Sequence, residues 1–200
     1  SGYSLITGAT AKLVRDYQGG RGVNIMHPRY STFEELSLPP LATVRADTFH
    51  SELVYTNAPS QRYVRFRKTA AGNTAFGYLG DSFDAKNIRF NPGQKYIVSF
   101  WARGNASAAG STFSIRFRNA DATPISVDTP ISGVLAQTPQ RFSFVYTAHA
   151  EWAVMAVALS ASELEPANDA AIYITGVMIE EQFGNETTPS GYVSPVGTVG

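Results

Sequence analysis

The sequence predicts an all-β chain: two antiparallel sheets packed as a sandwich, with almost no helix. Three observations carry this. Apolar and polar residues alternate with period two in several short runs. Turn-forming clusters such as Asn91-Pro-Gly93, Arg103-Gly-Asn105 and Glu165-Pro-Ala-Asn168 separate those runs. No stretch sustains the helical period of about 3.6 residues.

The elements follow in order. Residues 1–21 are polar and end near Gly19-Gly-Arg-Gly22, which reads as a linker or extended arm from a preceding domain. A domain is expected over 22–195, and 196–200 is a tail. Thr32 to Leu36 allows one helical turn, stopped by Pro39-Pro40. Weaker strands are expected over 41–49, 52–56 and 74–79. The clearest alternation begins at Arg62, with Val64 and Phe66 on one face and Tyr63, Arg65 and Arg67 on the other. Lys95 to Arg103 sets Tyr96, Val98, Phe100 and Ala102 opposite Ile97, Ser99, Trp101 and Arg103. Ser114 to Arg118 sets Ile115 and Phe117 opposite Arg116 and Arg118. Arg141 to Thr147 turns Phe142, Phe144 and Tyr146 inward. Trp152 to Leu159 and Ala171 to Ile179 are nearly continuous apolar runs, as in strands covered on both faces.

Composition narrows the function classes. The chain has 200 residues, 16 basic and 16 acidic, and 44% hydrophobic residues, enough for a sizeable core. It has no cysteine, which excludes disulfide frameworks, thiolate zinc sites and cysteine nucleophiles. No apolar run reaches the length of about 18 residues that a spanning helix needs. The charge is unevenly placed: residues 1–100 carry 12 basic and 7 acidic groups, and residues 101–200 carry 4 and 9. Between Ser60 and Ala120 there are 10 basic groups against Asp81 and Asp84. Such a strip attracts an acidic polymer, or is neutralised by the acidic half of the same domain.

Four blocks carry a resemblance. Asn24-Ile-Met-His-Pro-Arg-Tyr-Ser31 resembles the opening segment of jelly-roll carbohydrate-binding modules. Asn91-Pro-Gly-Gln-Lys-Tyr-Ile-Val-Ser-Phe-Trp-Ala-Arg-Gly104 resembles their "PGKxYxxSFWAKG" strand. Arg141 to Tyr146 resembles the aromatic strand that follows. Ile172 to Glu181, with Thr188-Pro-Ser-Gly-Tyr-Val-Ser-Pro195, resembles the closing strand. Within that group, the ending and Tyr78-Leu-Gly80 look most like modules of bacteriophage tail and receptor-binding proteins. The resemblance implies a two-sheet jelly roll that binds glycans without cleaving them. It implies a virion location, with a secreted accessory module as the alternative. The partners it implies are host-surface polysaccharide, an acidic one among the candidates, and other tail or baseplate subunits, with oligomers allowed. Nucleic acid, membrane insertion and cofactors are not expected. Family members often carry an acidic pair in the closing strand and a structural calcium. Thr175-Gly176 stands there instead, so no metal site is carried over.

The candidate binding face comes from strand parity. Trp101, Arg103, Arg65, Arg116, Arg118 and Tyr63, with Arg67, all lie opposite core-facing residues. A flat ring stacks on a sugar, and arginine forks donate paired hydrogen bonds to hydroxyls or carboxylates. The same parity also fits the solvated outer face of a sandwich. Tyr55, Tyr78, Trp152 and Tyr192 are further aromatics near strand ends, suited to an end-on sugar site, to rim packing or to subunit contact. Catalysis has little support. His27, His50 and His149 show no ligand spacing, and Glu34-Glu35, Glu163 with Glu165, and Glu180-Glu181 read as surface charge. A structural tail connector without a sugar site is the main alternative, and a hydrolase or lyase ranks last.

Overall fold

Alternation becomes strand pairing in a computed structural model that describes residues 24–26, 31, 44–51, 55–68, 75–79, 88–118, 131–159 and 170–193. Ten strands form among these: β1 (Val44–His50), β2 (Arg62–Lys68), β3 (Ala75–Leu79), β4 (Ile88–Arg89), β5 (Lys95–Gly104), β6 (Thr112–Arg118), β7 (Ile131–Val134), β8 (Gln140–Thr147), β9 (Trp152–Leu159) and β10 (Ala171–Glu181). The first sheet runs β1-β2-β10-β5-β8. The second runs β3-β9-β6-β7, with β4 added on β9. Every pairing is antiparallel. The fold is a two-sheet antiparallel jelly-roll sandwich, as the alternation and the closing strand predict. The expected arm over 1–21, the tail over 196–200 and the helical turn at Thr32–Leu36 lie outside the described residues.

The core forms where inward parities meet. Phe66, Val98, Phe100, Ile115 and Phe117 are buried, as expected. Phe142, Phe144 and Tyr146 pack against that core but stay half-buried, because β8 ends its sheet. Rings join the two sheets: Phe113 meets Phe142 edge-on at 4.9 Å, and Phe117 lies 4.2 Å from Tyr146. Aromatic pairs of this kind add about 0.5–1.5 kcal/mol beyond the area they bury.

Some expectations are corrected. Tyr55 and Thr56 belong to a turn, closed by Ala58 N–H donating to Tyr55 O at 3.4 Å, and not to a strand. β5 was expected to be half-exposed, yet it is buried on both faces after Lys95. β10 is buried on both faces, as its apolar run implies. The cover over the outer face of the first sheet comes from the turn after Tyr55 and from the segment after β10.

Both coverings are anchored at a bulge in β10, where the register with β5 shifts between Thr175 and Met178. Gly176 sits there at φ +62°. A Cβ on it would lie 2.4 Å from Pro59 Cγ and 2.7 Å from Trp101 Cε3. An acidic residue at this position has no room. Beyond the bulge, β10 turns its free edge to residue 25, whose N–H donates to Ile179 O at 2.9 Å. Asn24 completes the joint. Its Oδ1 accepts the N–H groups of Met26 and Ile179, each at 3.0 Å. Its Nδ2 is shared among Val193 O (3.1 Å), Val177 O (3.2 Å) and Ser31 Oγ (3.3 Å). Ser31 also donates to Val177 O at 2.7 Å and bonds the Tyr192 hydroxyl at 2.8 Å.

Candidate functional site

The outer face of the first sheet collects most of the residues that parity singled out. Register fixes which of them are neighbours. Tyr173 on β10 lies opposite Arg65 on β2 and opposite Arg103 on β5, so the three form one row across three strands. The next row joins Thr175, Trp101 and Arg141 on β10, β5 and β8. Between them, the two rows make an arginine-and-aromatic surface.

Its first half is built around Arg103. The guanidinium carbon lies 4.1 Å from the Tyr173 ring centre and 5.4 Å from those of Tyr63 and Tyr55. Tyr63 and Tyr173 meet edge-on at 6.4 Å. The cation is held by ring faces, an attraction that strengthens as water is excluded. Arg103 is 8% exposed, Tyr173 7% and Tyr63 0%. Arg65, Arg67 and Tyr55 are half-buried and form the accessible part of this half. Burial pushes the Tyr63 phenol up; the Arg103 charge pulls the other way, and Tyr55 adds to the rise.

The second half is closed. Trp101 is 8% exposed and lies under Tyr192, which meets it edge-on at 5.9 Å. Arg141 stacks with its guanidinium carbon 4.6 Å from the Trp101 ring and donates to Ser99 Oγ at 3.0 Å. Burial lowers the Arg141 guanidinium, and the nearby Glu180 carboxylate raises it in part. Glu180 is buried. Its Oε1 accepts the Ser190 N–H and its Oε2 accepts the Ser190 hydroxyl, each at 2.8 Å. That pair ties the C-terminal segment down beside Trp101.

The parity-based set therefore divides. Tyr63, Arg65, Arg67, Trp101 and Arg103 share the outer face of the first sheet. Arg116 and Arg118 do not: they sit on β6 of the second sheet, opposite Ala156 and Val154 of β9. Parity cannot tell one sheet from another, which is why they were grouped. Trp101 and Tyr63 also fail as open platforms, since cover from distant segments buries them. Of the looser aromatics, Tyr55 and Tyr192 both reach this face. Tyr78 and Trp152 belong to β3 and β9 of the second sheet, and their side chains lie outside the described residues. Two members were missed. Tyr173 was hidden inside a continuous apolar run, whereas the parity of Arg141, opposite Phe142, was readable.

No family model and no curated protein matches the chain. Solved structures do resemble it. One is the enzymatically active domain of tailspike protein 4 of bacteriophage CBA120, at a TM-score of 0.53 and 16% identity over 80% of this chain. This chain spans 22% of that tailspike structure. Another is the CBM22-1 xylan-binding domain of Xyn10C from Paenibacillus barcinonensis, at a TM-score of 0.50 and 13% identity, covering 80% of this chain and 96% of that one. The CBM22-1–CBM22-2 tandem of the same protein gives 0.53 and 13%, covering 80% and 46%. At these identities the likeness shows the fold: a β-sandwich of the kind found in carbohydrate-binding modules.

Proposed function

We propose that this chain is a non-catalytic glycan-binding domain carried on a phage tail or baseplate, where it adheres to host-surface polysaccharide. The observation that carries this reading is the row Arg65–Tyr173–Arg103, with Tyr55 and Arg67 at its open side. Arginine forks backed by aromatic rings are rigid donors, suited to the hydroxyls and charged groups of a sugar chain. The xylan-binding domain and the tailspike support the reading through their shared fold. The activity named for the tailspike belongs to a chain of which this one matches about a fifth, and it is not carried over. Each contact of this kind is weak, and many copies on one virion would raise the avidity.

The site proposed is Arg65, Arg67, Arg103, Tyr173 and Tyr55. The buried Tyr63 backs it, in contact with Tyr173 and Arg103. The test is an array of host-surface polysaccharides probed with the purified protein, beside light scattering for its oligomeric state. Retention on at least one glycan, weakened by Tyr55→Ala without a loss of melting temperature, is the expected result. No retention on any glycan, from a protein that forms a stable oligomer, would leave the structural connector as the better reading.

A further inference from the structure

Resting on the glycan-binding reading, we infer that the ligand of this face is an anionic polysaccharide, recognised through its carboxylates by the arginines of β2, with Arg103 of β5 behind them. Two features of the outer face lead there.

The first is its charge. Register and parity place Arg65, Arg67, Arg103 and Arg141 on it, against Glu180. Both Glu180 oxygens accept hydrogen bonds from Ser190. Among the described side chains of the face the arginines outnumber the carboxylates, and Arg103, buried at 8% exposure, adds its charge from a region of low dielectric.

The second is how the aromatic faces are used. A neutral sugar is gripped mainly by stacking on an open ring. Here Arg141 lies over Trp101, and Arg103 lies over Tyr173. These ring faces are taken by guanidinium groups, and the accessible groups of the face include Arg65, Arg67 and Tyr55. The planar N–H fork of a guanidinium has the geometry that pairs with a carboxylate.

The experiment compares polygalacturonate, alginate and polysialic acid with the carboxyl-reduced form of each, by affinity electrophoresis with the intact chain. The expected result is retention by at least one acid polymer, loss of that retention on its reduced form, and steep weakening with added salt. The Arg65→Gln/Arg67→Gln double variant should bind roughly ten-fold more weakly or worse. Arg116→Gln, on the other sheet, should bind as the wild type does. The comparison of acid and reduced polymers needs no variant, so it stands even if the double variant misfolds. Equal retention on acid and reduced forms, or retention on neutral glycans alone, overturns the anionic inference and leaves glycan binding intact. Retention on no polymer of either kind overturns both. Tighter binding to single-stranded DNA than to every acid polysaccharide overturns the inference in favour of a nucleic-acid partner.

Discussion

The two faces of the first sheet are both buried over β5 and β10, but by opposite chemistry. The inner face is apolar: Val98, Phe100, Ile172 and Ile174 press against Phe113, Ile115 and Phe117 of the second sheet. The outer face is a mixture of rings, guanidinium groups and a hydrogen-bonded carboxylate, covered by two chain segments rather than by a sheet. The inner face is held by area removed from water. The outer face is held by directed contacts: Asn24 to the bulge, Glu180 to Ser190, Tyr192 to Trp101. Non-directional packing tolerates a slide, whereas directed contacts fix one geometry.

Truncation on each face puts this to the test. Phe100→Ala removes a fully buried inner ring and should cost about 3–5 kcal/mol in chemical denaturation. Trp101→Ala should cost a similar amount, about 3 kcal/mol or more, because its ring is enclosed too. If Trp101→Ala unfolds at the wild-type midpoint, the outer cover is loose and the comparison fails. Phe144→Ala, at the half-buried end of the core, should cost visibly less than Phe100→Ala.

The next largest effect concerns the bulge. Gly176→Asp would place an acidic residue at the bulge. It forces a side chain into a left-handed backbone position and against Pro59 and Trp101. The expected loss is about 2–5 kcal/mol, read as a lower melting temperature that calcium does not restore. Recovery with calcium would show that the loop can open and that the cover is not fixed. Asn24→Ala should follow at about 2–4 kcal/mol, since it leaves the Ile179 N–H buried without its acceptor. Its effect should be larger than that of a surface Asn→Ala at Asn57, which reaches Pro139 O from an exposed turn.

Much of the inner face was legible in the sequence, because a period of two is a direct consequence of the pleat. Phe66, Val98, Phe100, Ile115 and Phe117 could be read as core from spacing alone. β4 and β7 could not, since two and four residues are too few to show a period. The outer face was half legible. Parity put Arg65, Trp101 and Arg103 together, and it put Arg116 and Arg118 with them wrongly, because side-chain alternation carries no record of which sheet a strand joins. Nor does alternation say what lies over a face. The cover from Pro59, Tyr192 and Ser190 is long-range, and Ser190 reaches Glu180 through a single residue pair with no local signature. Tyr173 escaped notice because a strand buried on both faces has no alternation to read.

The smallest predicted effect bears on the outer face alone. Tyr63 is buried, and its hydroxyl makes no hydrogen bond of normal geometry, although the Arg103 charge reaches it. Burial raises its ionisation above the ordinary 10.0. Above pH 10 the unfolded chain releases the phenol proton while the folded chain keeps it. The folded state then binds more protons, so stability falls as pH rises, from the unfolded pKa up to the raised folded one. Below that window both states are protonated and Tyr63 contributes no pH dependence. Tyr63→Phe should therefore leave stability at pH 7 nearly unchanged and flatten this part of the decline between pH 10 and 11. Denaturation midpoints of the two proteins at pH 7, 9, 10 and 11 check it. If wild type and Tyr63→Phe decline in parallel through the alkaline range, the phenol is reached by water in the folded state, and the outer face is more open than its packing implies.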